Sequence, residues 1–259
     1  MTVIELYNKL SEIIPPELSC EGDRDGLESC PEPCREVKKV LISLDTTNEV
    51  IDEAIKENAD VIVSHHPLFF GGLGNMNALT FDGARAVKLA RHCIATMSFH
   101  TRLDALCGGV NDILAQRLGL TDVKTIGADR VARIGTLSEE ADPEEYARRV
   151  KEALSYGQGE SQAHVTLSSA NRPVRRVALI GGSGGNEIWL AAENGADTYV
   201  TGDMKYHQLL SASDYNMNLI AAGHFFTEYP VCAFLEKTLR DICPEAEIKT
   251  VFSNRIKEF

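Results

Sequence analysis

The sequence predicts an α/β protein whose largely parallel sheets are covered by helices. Three observations support this fold class. Short and almost continuously apolar runs recur along the 259 residues, amphipathic helical patterns separate them, and polar residues stand where the runs end. Strands that are buried on both faces have this continuous apolar character. Alternation of such strands with helices is typical of α/β layers.

The apolar runs are the predicted strands. In chain order they are VLISLD, DVIVSHH, IATMSFH, RVALIGG, DTYVTGD and NLIAAGH. They are short enough for strands, and each ends in Gly, His or Asp.

Helical patterns lie before, between and after these runs. They are MTVIELYNKLSEIIPPEL, TNEVIDEAIKENA, DGARAVKLARHC, GGVNDILAQRLGL, DPEEYARRVKEALSY, GNEIWLAAENGA, KYHQLLSASDY and YPVCAFLEKTLRDIC. In the second of them, Val50, Ile51, Ala54 and Ile55 form the apolar stripe of a helix that packs on a sheet. Gly119 is placed to end its helix as a C′ residue.

The strand-helix units form two groups, which predicts two domains. The first is expected to comprise residues 1–127 and 230–259, because the last helix and the tail EIKTVF can return to the first half. The second is expected to comprise residues 128–229. Both groups share the same strand-helix rhythm, which suggests two related domains that face each other.

Composition restricts the classes of function. The formal net charge is −12, which disfavours nucleic-acid binding because such a surface repels phosphate backbones. No apolar run approaches the roughly 20 residues that span a bilayer, and the N-terminus does not resemble a signal peptide. A cytoplasmic protein without membrane contact is therefore expected.

The seven cysteines do not form a recognisable disulfide framework. Their number is odd and the chain is not small, so reduced thiols are expected. CPEPC, from Cys30 to Cys34, could hold a metal together with Cys20. It lies in a Pro- and Glu-rich loop without a second matched pair, which favours a plain loop over a zinc knuckle.

Histidines and carboxylates at the ends of predicted strands are the candidate site. In open parallel sheets, ligands bind at the carboxyl ends of the strands. His65 and His66 follow an apolar run directly, and Pro67 keeps His66 extended. Successive strand residues point to opposite faces, so the two imidazoles are expected to diverge and to reach different ions. The alternative is that each is a hydrogen-bonded polar residue at a strand end.

Two further segments each deliver a histidine and a carboxylate four residues apart. His100 and Asp104 would share one side of a helical turn, as would His224 and Glu228. Alternatively, Asp104 caps the helix near Gly108, and Glu228 satisfies the N-terminus of the helix that includes Pro230. Taken together, three histidines (His65, His66, His224) and two carboxylates (Asp104, Glu228) suit two borderline divalent ions, and Zn²⁺, Fe²⁺, Mn²⁺ and Co²⁺ are not distinguished.

Several long blocks resemble the Nif-three-like dinuclear metal proteins, also called GTP cyclohydrolase I type 2 proteins. These blocks are LDTTNEVIDEAIKENADVIVSHHPLFF, HTRLDALCGGVNDILAQRLGL, RIGTL, VALIGGSGGNEIWLAAENGADTYVTGDMKYHQ and AGHFFTE. The resemblance implies metal ligation by the five residues His65, His66, Asp104, His224 and Glu228. It also implies two similar three-layer α/β domains facing each other across a metal-containing cleft, and a ring-shaped homohexamer.

Two departures from the family pattern fall outside the ligands. Arg102 stands where the family has Asn, and the segment GDRDGL carries Gly22 and Arg24 in place of Trp and Asn. Both positions could line the cleft and affect the choice of substrate.

The resemblance implies a dinuclear metal-dependent hydrolase that opens the purine imidazole ring of GTP or a related nucleotide. His100 is the candidate proton shuttle, because imidazole titrates near neutral pH. His207 is a second candidate, and Asp45 could orient a ligand histidine. The loop GGSGGNE is either a phosphate cradle or a tight turn. The alternative function is a non-enzymatic metal-binding scaffold or regulatory adaptor.

Overall fold

The structure is a computed structural model that describes residues 1–156 and 162–256. The chain forms two compact units. The first combines Met1–Leu103 with Val231–Asn254, and the second contains Asp104–Pro230 with Arg255 and Ile256.

Strands and helices are numbered in chain order over the described residues. The strands are β1 (Gly26–Ser29), β2 (Lys39–Ser43), β3 (Val61–Ser64), β4 (Ala95–Ser98), β5 (Thr121–Ile126), β6 (Ala132–Ala141), β7 (Thr166–Ser168), β8 (Val174–Ile180), β9 (Thr198–Thr201), β10 (Asn218–Ala221) and β11 (Glu247–Thr250). The helices are α1 (Val3–Ile13), α2 (Asn48–Lys56), α3 (Phe81–Arg91), α4 (Thr101–Ala105), α5 (Val110–Arg117), α6 (Pro143–Leu154), α7 (Ile188–Glu193), α8 (Tyr206–Leu210), α9 (His224–Glu228) and α10 (Val231–Ile242). Short 3₁₀ turns cover Pro16–Leu18 and Gly185–Glu187.

The first unit contains a five-stranded sheet in the order β1-β4-β3-β2-β11. Its four strands other than β1 run parallel, and β1 pairs antiparallel with β4 at the edge. Helix α2 starts at the N-cap Thr47, whose side chain accepts a hydrogen bond from the Val50 amide. Apolar residues of α2 and α3 pack with Leu41 and Ile62 of the sheet in one buried cluster.

The second unit contains a six-stranded mixed sheet in the order β5-β6-β8-β9-β10-β7. Its central strands β8, β9 and β10 are parallel, while β5, β6 and β7 pair antiparallel. Residues of α5 and α6 share one core with one face of the sheet. Residues of α7 pack in a second buried cluster.

The predicted α/β class and the predicted strands are confirmed. Each of the six apolar runs overlaps a strand, and both sheets have a parallel centre. The tail EIKTVF forms β11, which pairs with β2 in the first unit. Gly119 follows α5 with a φ of +74°, as expected for a C′ glycine.

The division into units differs from the boundary expected at residue 127. Residues 104–127 belong to the second unit. Strand β5 pairs with β6, and Leu114 and Leu118 of the α5 region are buried in the core of that unit. The boundary between the two units falls within helix α4, between Leu103 and Asp104.

None of the described helices is both long and apolar enough to cross a membrane.

Candidate metal centre

Three histidines lie together at the carboxyl ends of β3 and β4 in the first unit. The parallel pairing of these strands places the residues that follow Ser64 beside those that follow Ser98. The ring centroids of His65 and His66 are 4.8 Å apart, and that of His100 lies 5.3 Å from His65 and 5.6 Å from His66. Each residue offers a ring nitrogen within 4.8 Å of the others.

The expected divergence of His65 and His66 is therefore wrong. It assumed that both residues belong to a strand, where side chains alternate between faces. Strand β3 ends at Ser64, so both histidines lie beyond the regular strand. His65 is fully buried and His66 is 7% exposed.

The Nδ1 atom of each of these histidines contacts a fixed oxygen acceptor. His65 Nδ1 lies 2.9 Å from the Phe99 carbonyl oxygen, and His66 Nδ1 lies 2.8 Å from Oδ1 of Asp45. A carbonyl or carboxylate oxygen can only accept, so these Nδ1 atoms carry protons and donate them. Histidines that bind metals are commonly held this way by their other nitrogen. The expected orienting role of Asp45 has a structural basis in this contact.

His100 is held by Asp23, a residue that sequence reasoning did not identify. His100 Nδ1 lies 3.0 Å from both carboxylate oxygens of Asp23, and Oδ2 of Asp23 also accepts hydrogen bonds from the Thr101 amide and hydroxyl. Burial opposes ionisation of Asp23, but the hydrogen bonds from His100 and Thr101 outweigh it and hold the pKa of this carboxyl well below its ordinary value. Asp23 therefore remains a carboxylate at neutral pH.

Arg102 is buried and links two segments of the first unit by hydrogen bonds. It is 1% exposed, and its Nε donates to Oδ2 of Asp25 at 2.9 Å. Asp25 also accepts from the His100 amide at 2.9 Å. The two segments that depart from the family pattern, GDRDGL and HTRLD, are thus bonded to each other through Arg102 and Asp25.

A histidine and three carboxylates lie close to one another in the second unit. His224 Nδ1 lies 2.7 Å from Oδ2 of Asp203, and its Nε2 lies 3.1 Å from Oε2 of Glu228 one helical turn later. The spacing of four residues in α9 produces this contact, as predicted from the sequence. A carboxylate oxygen of Asp104 lies within 4.8 Å of one from Glu228. Asp104 and Glu228 are 7% and 4% exposed, which is unusual for acidic residues.

The glycine loop after β8 packs directly against this group. A Cβ on Gly182 would lie 2.9 Å from Cδ of Glu228 and 3.1 Å from Nε2 of His224, and the φ of this residue is +65°. Gly182 donates its amide to the Thr227 hydroxyl, and Gly181 donates its amide to Oδ1 of Asn111. Because these amides already donate to side chains, the contacts favour the tight turn over a phosphate cradle.

Asn111 links the segment of Asp104 to the glycine loop after β8, and sequence reasoning did not identify it. It is fully buried, its Nδ2 donates to the Asp104 carbonyl at 3.3 Å, and its Oδ1 accepts from the Gly181 amide at 2.7 Å. The helix near Gly108 is not capped by Asp104, since the N-cap position of α5 is Gly109. The backbone of Asp104 is instead held in place by a residue of α5.

The remaining candidates do not join these groups. His207 is exposed on α8. Across residues 1–156 and 162–256, no cysteine belongs to a group whose ligand atoms are close enough to share an ion. This gives no support for a zinc knuckle at CPEPC.

The sequence matches the Duf34/NIF3 (NGG1p interacting factor 3) family over residues 1–258. A relative from Clostridium acetobutylicum named "GTP cyclohydrolase 1 type 2 homolog" is 28% identical over 96% of this chain and 94% of its own. A relative of the same name from Nostoc sp. is 33% identical over 84% and 83% of the two chains.

Solved structures resemble the fold along its whole length. The crystal structure of a hypothetical protein from Staphylococcus aureus has a TM-score of 0.87 at 26% identity and covers 100% of this chain and 99% of its own. A Bacillus cereus protein described as related to NIF3 has a TM-score of 0.85 at 24% identity, with 100% and 98% of the two chains covered. From the match along residues 1–258, this chain belongs to the Duf34/NIF3 family.

Proposed function

We propose that the chain is a dinuclear metal-dependent hydrolase that acts on a purine nucleotide. Its metal ligands would be His65, His66, Asp104, His224 and Glu228. The observation that carries the proposal is the common anchoring of the histidines: Nδ1 of His65, His66 and His224 each contacts an oxygen acceptor, an arrangement commonly found in metal-binding histidines.

The donor atoms of the two units complement each other chemically. The first unit offers imidazoles, and the second offers an imidazole and two carboxylates. Mixed nitrogen and oxygen donors suit Zn²⁺, Fe²⁺, Mn²⁺ or Co²⁺. We therefore assign the five side chains as the ligands of two ions.

His100 would be the proton-transferring residue. Bound divalent ions supply Lewis acidity, which lowers the pKa of water from 15.7 towards about 7. The Asp23 carboxylate holds a proton on Nδ1 of His100, so Nε2 is the atom that would accept a proton during hydrolysis. The same carboxylate would then stabilise the imidazolium.

The names of the relatives support the choice of substrate. Both quoted relatives are named "GTP cyclohydrolase 1 type 2 homolog". The proposed reaction is therefore the hydrolytic opening of the purine imidazole ring of GTP or a related nucleotide. By the same family resemblance, we assign the chain to a ring-shaped homohexamer.

Turnover measured against metal content tests this function. Protein that has been stripped with a chelator should not consume GTP, and reloading with Zn²⁺, Mn²⁺, Fe²⁺ or Co²⁺ should restore turnover in proportion to the bound ion. His100→Ala should lower kcat by about 10²–10⁴-fold while metal content stays at the wild-type level. The exposed His92→Ala is the matched control and should retain wild-type turnover.

Tight metal binding without turnover of GTP or a related nucleotide would contradict the hydrolase. It would instead favour the non-enzymatic scaffold or regulatory adaptor.

A further inference from the structure

An exposed phenylalanine lies beside the histidines of the first unit. Phe69 is buried, and its amide donates to Oε1 of Glu28 at 3.2 Å. The Gly72 amide donates to the Phe69 carbonyl at 2.8 Å, which closes a turn with Phe70 at its corner. Phe70 is 61% exposed. The turn therefore places the first of the two phenylalanines in the core and the second in solvent.

The Phe70 ring contacts the candidate site rather than the core. Its centroid lies 5.4 Å from that of His100 in an edge-to-face arrangement, with an interplanar angle of 86°. It lies 6.0 Å from that of His66. An exposed aromatic ring in this position offers a stacking surface for a planar ligand.

Arg24 lies against the same turn. A Cβ on Gly72 would lie 2.5 Å from Nη1 and 3.3 Å from Cζ of Arg24, so the guanidinium rests on that glycine. The Arg24 amide donates at 2.8 Å to Asp23, the carboxylate that holds His100. Arg24 is exposed, and its guanidinium forms no ion pair within the described part of the chain.

A guanidinium at this position suits a phosphate group. Arginine binds phosphate through paired N–H donors. The chain carries a formal net charge of −12, so an anionic ligand needs a local cation to offset the general repulsion. Arg24 is also one of the residues that depart from the family pattern.

We propose that Phe70 and Arg24 form a nucleotide subsite beside the histidines, with the base stacked on Phe70 and a phosphate paired with Arg24. The inference rests on the proposed function and specifies how its substrate would be held. Base stacking tolerates any base, so this subsite selects a phosphorylated nucleoside rather than one particular base.

Binding of three probes to the metal-loaded protein tests the two contacts separately. The probes are GMP, guanosine and ribose 5-phosphate, and their dissociation constants are measured by calorimetry. Phe70→Ala should weaken GMP and guanosine by roughly tenfold or more and leave ribose 5-phosphate unchanged. Arg24→Ala should weaken GMP and ribose 5-phosphate by roughly tenfold and leave guanosine unchanged.

Matched controls lie in the same unit. Phe81 is 70% exposed, Arg91 is also exposed, and both lie on α3, so Phe81→Ala and Arg91→Ala remove similar side chains outside the turn. Neither should alter the binding of any probe. Equal losses for all three probes, no loss in either variant, or losses matched by the controls would overturn the subsite.

A fluorescence measurement reports on stacking directly. Trp189 is the only tryptophan, so Phe70→Trp in a Trp189→Phe background places a single reporter at the turn. Guanosine should quench this fluorescence, and ribose 5-phosphate should not. Absence of quenching by saturating guanosine contradicts stacking at this position.

The failure of this inference can be told apart from failure of the proposed function. Metal content should be the same in wild type, Phe70→Ala and Arg24→Ala. If wild type binds no metal, the proposed function fails. If metal is bound but the probe pattern is absent, only the subsite fails.

Discussion

At the scale of single residues, the oxygen atoms that accept hydrogen bonds from Nδ1 determine the tautomer and the orientation of the histidine rings. Asp45 holds His66 in the first unit, and Asp203 holds His224 in the second. Neither carboxylate is needed as a ligand in the proposed centre. Each fixes a tautomer and a ring orientation, and this function is separable from direct ligation.

Removal of these acceptors should weaken metal binding without abolishing it. Asp45→Ala and Asp203→Ala are each expected to lower metal affinity by about 10–100-fold, because the ring can then rotate and change tautomer. Competition with a chromophoric chelator measures the affinity. The exposed residues Asp241 and Asp214 provide control variants, Asp241→Ala and Asp214→Ala. Unchanged affinity in both test variants would contradict the orienting role.

Glu28 gives a prediction about pH at the same scale. Burial raises the pKa of its carboxyl from 4.5 to about 7, against the opposing effect of the Phe69 amide. Because the folded-state pKa is the higher one, the folded state holds its proton more tightly than the unfolded chain does. The resulting stability is complete below pH 4.5 and is lost as the pH rises through about 7.

Glu28→Gln should remove this dependence. Between pH 5 and pH 8 the wild type should lose on the order of 1–3 kcal/mol of unfolding free energy relative to the variant. Urea unfolding across this range measures the difference. The exposed Glu21→Gln serves as the control and should follow the wild type. A Glu28→Gln curve parallel to the wild type would show that Glu28 does not titrate in this range.

At the scale of elements, the turn after β8 positions the start of α9. Gly182 lies so close to Glu228 and His224 that any side chain would displace them. Its positive φ is a second reason for glycine at this position.

Gly182→Ala should therefore reduce metal binding. The added methyl group would push the Glu228 carboxylate away from its present position, so metal content should fall below that of the wild type while the fold is retained. Gly74→Ala is the control, because a Cβ there meets nothing within 4 Å. Metal analysis and circular dichroism of the same samples separate a local change from unfolding. Wild-type metal content in a folded Gly182→Ala variant would contradict the packing argument.

The buried strands and the amphipathic helices were predictable because hydrophobic periodicity is a local property of the sequence. The runs VLISLD and DVIVSHH overlap β2 and β3, and the stripe of Val50 and Ile51 lies on α2. The edge strands β1, β5 and β7 were not predicted, since they are partly exposed and lack a continuous apolar run. Because β5 pairs with β6, residues 104–127 belong to the second unit and not, as expected, to the first.

The parts of the site that were missed depend on contacts between distant segments. Asp23 reaches His100 across 77 positions in the chain, and Asn111 reaches Gly181 across 70. No local spacing encodes such contacts. The pair His224 and Glu228 was predictable because a helical turn brings residues four apart together.

At the scale of the whole molecule, the central claim is that His65, His66, Asp104, His224 and Glu228 bind one pair of ions. Metal analysis of purified protein tests it most directly. Wild type should carry about two ions per chain, and His65→Ala and Glu228→Ala should each carry fewer. The exposed residues His92 and Glu152 supply the controls, and His92→Ala and Glu152→Ala should keep the wild-type number. Full occupancy in both His65→Ala and Glu228→Ala would contradict the account.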